Sequence, residues 1–321
     1  MSEPLPLDSD GLVSYTDAAI LGRGDELLRQ HREGDLRRIS RGIYTASQDE
    51  PGARGDAAAY RERVLAAGRR MSDPVFTSFS AAALYRLPIV HCWPDVLYVM
   101  SNGPHGRRQR GVVSVVRRAH AGYERVDGLR TTPIDFTLVQ LARHASLAQA
   151  LVAVDAALLV PRSSEAWPLT TPERLIAEYE RLRPFHGSRR VGAVLDRLTT
   201  VADTPLETLS RLVIEQLGFA APMLQQRFWL PGLARNAYVD FYWPDVAVIG
   251  EADGHGKYLD AGSAQGAAQR VIEEKQREDE LRAQVRNCVR WGWADVWHPA
   301  RLERLLLRAG VPRVRPSRLL V

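Results

Sequence analysis

The sequence predicts an α+β protein of several domains, and three observations carry that prediction. Its 321 residues are about twice the length of a typical single domain. Its composition, 45% hydrophobic and 25% charged, is that of ordinary globular chains and excludes wholesale disorder, a collagen-like chain or a disulfide scaffold. Helix-like and strand-like stretches follow one another with Gly- and Pro-rich breaks and no internal repeat. The expected layout is a winged helix-turn-helix over 1–50, a small α/β domain over 51–165, a helical connector over 166–202 and a further α/β domain over 203–321.

The first elements lie in residues 14–45. Thr16 is placed to cap a short helix through Ile20, Gly22-Arg23-Gly24 turns the chain, and Asp25 caps a second helix from Glu26 to Arg32. After Gly34-Asp35, two short strands, Leu36 to Ile39 and Ile43 to Thr45, flank Ser40-Arg41-Gly42. Two short helices followed by a basic hairpin have the sequence form of a winged helix-turn-helix, whose second helix enters the major groove. Arg29, Arg32, Arg37, Arg38 and Arg41 would then reach phosphates or base edges.

Further along, Ala57 to Arg70 and Ser80 to Tyr85 read as helices, and Val96 to Met100 and Val112 to Val116 as strands. The connection SNGPHGRRQRG reads as a loop whose Arg107, Arg108 and Arg110 could contact phosphates. Helices follow from Thr132-Pro133 to Arg143, from Leu147 to Leu159 and from Thr171-Pro172, the last with Thr as cap and Pro at the first position. Residues 183–190 read as a hinge.

Carboxylates carry the chemistry of the last domain. Thr204-Pro205-Leu206-Glu207 opens a helix that ends near Gly218. A strand pair follows, LQQRFWL and AYVDFYW, and then VAVIG leads into Glu251-Ala252-Asp253. Asp240 lies inside a strand, and Glu251 and Asp253 end the next one two residues apart, on one face. Crowded carboxylates are costly unless a cation neutralises them, and an oxygen-only set suits Mg²⁺ or Mn²⁺. The helix VIEEKQREDELRAQ then brings Lys275, Asp279 and Arg282 to one face. Lys257 and Lys275 are the chain's two lysines. Val296 and Trp297 fit a closing strand.

Charge and targeting features bound the setting. The formal net charge of +5 suits an acidic partner such as nucleic acid. No apolar run reaches the roughly 20 residues that span a bilayer, the N-terminus lacks a secretory pattern, and two cysteines make no framework. A cytoplasmic location without membrane association is expected.

TPLE, YVDFYWP, VIGEADGHGKY and K-x-x-x-D-x-x-R before a Gly-Trp pair, over residues 203–300, resemble a very-short-patch-repair-like branch of the PD-(D/E)XK nucleases. The resemblance implies a restriction-endonuclease-like α/β domain that hydrolyses DNA phosphodiesters with Mg²⁺ or Mn²⁺. It makes Asp240 the central metal ligand, Glu251 the second and Glu207 the helix carboxylate. Asp253 stands where that family has lysine, so Lys275 is the substitute cation, with His255 and Lys257 behind it. RISRGIYT, FTSFSAAALYRLP and DGLRTTPIDFTLVQLAR resemble proteins with an AbiEi-type antitoxin region, which implies promoter binding, a two-fold dimer and a cognate toxin as partner. The two resemblances give two functions: a Mg²⁺-dependent endonuclease acting on double-stranded DNA, or a non-enzymatic AbiEi-like repressor with an inactive nuclease fold. An RNA-directed nuclease is a third and weaker one, since the sequence offers no obvious stacking platform for single strands beyond Trp229, Trp243 and Trp291.

Overall fold

A computed structural model of the chain describes residues 5, 7–8, 10–47, 53–101, 103, 106–109, 111–116, 122–162, 167–253 and 264–318. These form an α+β protein in two compact units, residues 1–157 with 169–198 and residues 158–168 with 199–321. Among the described residues, no helix is long and apolar enough to cross a membrane.

The first unit opens with β1 (Leu12–Ser14), α1 (Tyr15–Ile20), α2 (Gly24–Glu33), β2 (Leu36–Ser40) and β3 (Ile43–Ala46). Ser14, not Thr16, caps α1, accepting the Asp17 N–H at 3.0 Å. The second helix begins two residues before its expected start, and no side chain caps it. It stops at Gly34, whose φ of 91° lets the chain turn off the helix in the left-handed region. The three strands pair in the order β1-β3-β2, all antiparallel, over a small core of Val13, Ala18, Leu27, Leu36 and Tyr44. β1 escaped the sequence reading because three residues show no periodicity.

The rest of this unit comprises α3 (Ala53–Arg70), β4 (Val75–Phe76), α4 (Ser78–Leu84), β5 (Leu97–Met100), β6 (Arg107–Gln109), β7 (Val112–Val115), β8 (Glu124–Val126), β9 (Leu129–Thr131), α5 (Ile134–His144), α6 (Leu147–Leu158), α7 (Pro172–Leu182) and α8 (Ser188–Leu195). A six-stranded mixed sheet runs β6-β7-β5-β4-β9-β8. β6 pairs antiparallel with β7, so part of the expected loop is a strand. α5 is buried from Ile134 to Ala142, and α7 and α8 pack against it.

The second unit holds α9 (Pro205–Gln216), β10 (Met223–Leu230), β11 (Arg235–Trp243), β12 (Val248–Ala252), α10 (Ala264–Gln284), β13 (Asn287–Trp291), α11 (Trp293–Trp297) and α12 (Pro299–Ala309). Leu206, Leu209, Leu212 and Val213 recur at three- and four-residue spacing and give α9 its buried face. Gly218 ends the helix region with φ +80°, and a Cβ there would lie 2.1 Å from the Arg315 carbonyl oxygen. The sheet order is β10-β11-β12-β13, with the first three antiparallel and β12–β13 parallel across the α10 crossover. Ala237, Val239, Phe241 and Trp243 alternate inward along β11, the period-two pattern of a strand buried on one face. Val296 and Trp297 do not form the expected closing strand. That strand is Asn287–Trp291, and Trp293 stacks on Trp297 at 5.6 Å across one turn of α11.

Candidate active site

The site is built where α9, the β10–β12 strands and α10 meet. Thr204 accepts the Glu207 N–H at 3.2 Å and Pro205 occupies the first turn, so the cap fixes where Glu207 sits. The Glu207 carboxylate is then filled by three donors: the Asp203 N–H at 3.0 Å, the Thr204 hydroxyl at 2.9 Å and the Gln225 amide at 2.7 Å.

Gln225 was not singled out by sequence reasoning. The ladder pairs Leu224 with Phe241 and Gln226 with Val239, and is interrupted between them. At the interruption Gln225 takes φ 51°, a left-handed conformation that a non-glycine residue holds only at a cost. Its amide nitrogen bridges Glu207 Oε2 and, at 3.2 Å, Asp240 Oδ1. The other Asp240 oxygen accepts the Ala252 N–H at 2.8 Å.

Glu251 lies beside Asp240 because Phe241 pairs with Gly250, one step along the same hairpin. Gly250 is required there: a Cβ would meet the Trp291 ring at 2.4 Å and the Trp243 ring at 3.1 Å. Trp291 is itself pinned by its indole N–H, which donates to Ser210 Oγ at 2.8 Å. Glu251 Oε1 accepts Arg277 Nη2 at 2.9 Å, and Arg277 Nη1 donates to Glu274 at 3.0 Å. Arg290 on β13 reaches the same Glu274 oxygen at 3.2 Å. Arg162 pairs with Asp203 and lies over the Tyr238 ring, 4.8 Å from its centre. A cavity of about 280 Å³ opens here, lined by Asp240, Glu251, Asp253, Arg162, Arg277 and Arg290 among others.

The electrostatics follow from that crowding. Burial, then the Asp240 charge, pushes the Glu207 carboxyl up to about 7. Burial also raises Glu251, with Asp240 adding to the rise and Arg277 opposing it.

Two expectations change. Lys275 does not line this cavity. It is exposed, whereas Glu274, Arg277 and Leu281, at helical spacing, form the face of α10 turned to the sheet. Lys275, Asp279 and Arg282 form the outward stripe, and Arg277 lines the cavity. Glu207 does not join Asp240 and Glu251 in one ligand set, since among the described residues no three His, Cys, Asp or Glu side chains are grouped to hold a metal ion. Its oxygens serve instead to hold Gln225. Asp253 lines the cavity, and its N–H donates to the Trp291 carbonyl at 2.8 Å. His255 and Lys257 lie outside the described residues.

Two of the carboxylates that line this cavity stand side by side on neighbouring strands. Asp240 and Glu251 offer oxygens there, and Mg²⁺ commonly uses one or two carboxylates while keeping several waters.

The arginines expected to contact nucleic acid lie in the first unit. Arg29, Arg32, Arg38, Arg41 and Arg108 are exposed. Arg29 pairs with Glu33 at 3.6 Å, and Arg32 and Arg38 donate to the carbonyls of Leu28 and Ser40. Arg37 is half-buried in an ion pair with Glu62 of α3, which ties the hairpin to that helix. The Arg107 side chain and Arg110 lie outside the described residues. Trp243 and Trp291 are buried, which removes them as stacking candidates, while Trp229 is 52% exposed.

No family model matches the chain. It is 28% identical over 223 residues to an uncharacterized protein of Mycobacterium tuberculosis, MT2308 in strain CDC 1551 / Oshkosh and Rv2248 in strain H37Rv. The match covers 69% of this chain and 75% of that protein in each strain. The crystal structure of RV2827C protein from Mycobacterium tuberculosis aligns with 71% of this chain and 87% of its own, at 15% identity and a TM-score of 0.36.

Proposed function

We propose that the chain is a divalent-cation-dependent deoxyribonuclease whose N-terminal helices and hairpin act as a winged helix-turn-helix on duplex DNA. One observation carries the reading: Asp240 and Glu251, on adjacent antiparallel strands, share one cavity with Arg162, Arg277 and Arg290. Paired carboxylates beside guanidinium groups match the needs of phosphodiester hydrolysis, which must hold a cation, a phosphate and a water together. The sheet order and the helical crossover between β12 and β13 support a PD-(D/E)XK-like fold for the second unit.

On this reading Asp240 and Glu251 would hold Mg²⁺ or Mn²⁺, which when bound lowers the pKa of coordinated water and offsets charge on the phosphate. Gln225 keeps the Asp240 carboxylate turned to the cavity, and Glu207 anchors Gln225. Arg277 and Arg290 supply the positive charge that Asp253 cannot. Arg38 and Arg41 on the hairpin, Arg29 and Arg32 on α2, and Arg108 on β6 are the candidate phosphate contacts.

A second reading, an AbiEi-like repressor or antitoxin with an inactive nuclease fold, draws on Asp253 at the lysine position and on Glu251 being already engaged by Arg277. Supercoiled plasmid incubated with Mg²⁺, Mn²⁺ or EDTA, with a gel shift on the same DNA, separates the two. The nuclease reading expects metal-dependent nicking that falls at least 100-fold in Asp240→Asn. Salt-sensitive binding without nicking would favour the repressor.

A further inference from the structure

Glu251 and Arg277 form a shielded pair: their side chains are 19% and 17% exposed, and the contact is 2.9 Å. The same Arg277 nitrogen donates to the Tyr238 carbonyl at 3.1 Å, while the other holds Glu274 at 3.0 Å. The guanidinium therefore sits beside one of the two carboxylates that would receive a cation. Leaving Glu251 buried next to Asp240 with no positive partner would be costly. Arg277 meets that cost in the protein as it stands.

Resting on the nuclease reading of this site, we infer that Arg277 is a built-in counter-cation: it neutralises Glu251 until a divalent ion enters, yields that carboxylate, and turns its guanidinium to a phosphodiester oxygen. The exchange is driven by charge. A divalent ion brings two positive charges where Arg277 brought one, so its entry frees the Nη2 edge of the guanidinium from Glu251 while Glu274 keeps the Nη1 edge. The phosphodiester supplies the missing negative charge. Arginine suits the exchange because its planar fork meets carboxylate and phosphate alike. Cation and DNA backbone then bind with positive coupling, each favouring the other's entry.

Calorimetric titration of Mn²⁺ alone into the full chain tests the first half, with Arg277→Met, Arg277→Lys and Asp240→Asn beside wild type and a melting curve for each. Arg277→Met should bind Mn²⁺ about tenfold more tightly than wild type, with Arg277→Lys between them and Asp240→Asn much weaker than all three. Equal or weaker binding by a folded Arg277→Met, with Asp240→Asn still impaired, would overturn the inference and leave the nuclease reading standing. Absence of Mn²⁺ binding in wild type and Arg277→Met alike would remove both. For the second half, Ca²⁺ should tighten binding of a short DNA duplex by wild type, and Arg277→Met should lose that enhancement. Full retention in Arg277→Met would contradict the transfer to phosphate.

Discussion

Glu207, Gln225 and Asp240 form a short chain of hydrogen bonds in which a buried acid positions an amide and the amide positions a second acid. The raised pKa of Glu207 has a consequence for stability. The folded chain keeps this proton up to about pH 7, whereas the unfolded chain releases it near its ordinary value of 4.5. Between those values the folded state binds more protons, so this group's contribution to stability is greatest below 4.5 and falls as pH rises through 7. Melting curves in EDTA should show a steeper loss of Tm between pH 5 and 8 in wild type than in Glu207→Gln. Equal slopes would remove the assigned shift. At Gly250 the expectation is simpler: Gly250→Ala drives a methyl into the Trp291 ring and should cost about 2 kcal/mol in denaturant unfolding. A change below a few tenths would mean that the ring moves aside freely.

At the level of elements, legibility depended on how many local signals agreed. α9 was readable because Thr204, Pro205, an apolar stripe and Gly218 all specify one helix with one start and one end. Asp240 and Glu251 were readable because a polar residue in an apolar strand stands out. β4, β8 and β9, with two or three residues each, have no period to detect. Which face of α10 meets the sheet was not legible for another reason: charges occupy both of its faces, and Leu281 alone marks the buried one among its neighbours. Choosing the retained lysine favoured rarity over phase. Gln225 gave no signal, since a left-handed glutamine within a strand has no sequence signature. The observed phase makes a direct prediction. Lys275→Ala should leave plasmid nicking within about twofold of wild type, and Arg277→Met should reduce it at least 100-fold. The reverse order would restore the original assignment.

On the proposed reading, DNA holding belongs to the first unit and phosphodiester chemistry to the second. Exposed Arg38 and Arg41 should each contribute to a salt-dependent affinity, so Arg38→Ala with Arg41→Ala should flatten the dependence of binding on salt by roughly one to two counterions. Mn²⁺ affinity should stay unchanged in that variant, and Arg37→Ala should chiefly lower stability through its lost partner Glu62. A salt slope unmoved by the double change would place the DNA-holding surface elsewhere. The central claim, that Asp240 and Arg277 act in one phosphodiesterase centre, is tested most directly by single-turnover cleavage of supercoiled plasmid in Mg²⁺ by wild type, Asp240→Asn, Arg277→Met and the double variant. Members of one catalytic unit are non-additive. The account predicts metal-dependent cleavage by wild type, a loss of at least 100-fold in each single variant and little further loss in the double. Wild-type protein that binds the plasmid and leaves it intact in both Mg²⁺ and Mn²⁺ would contradict it.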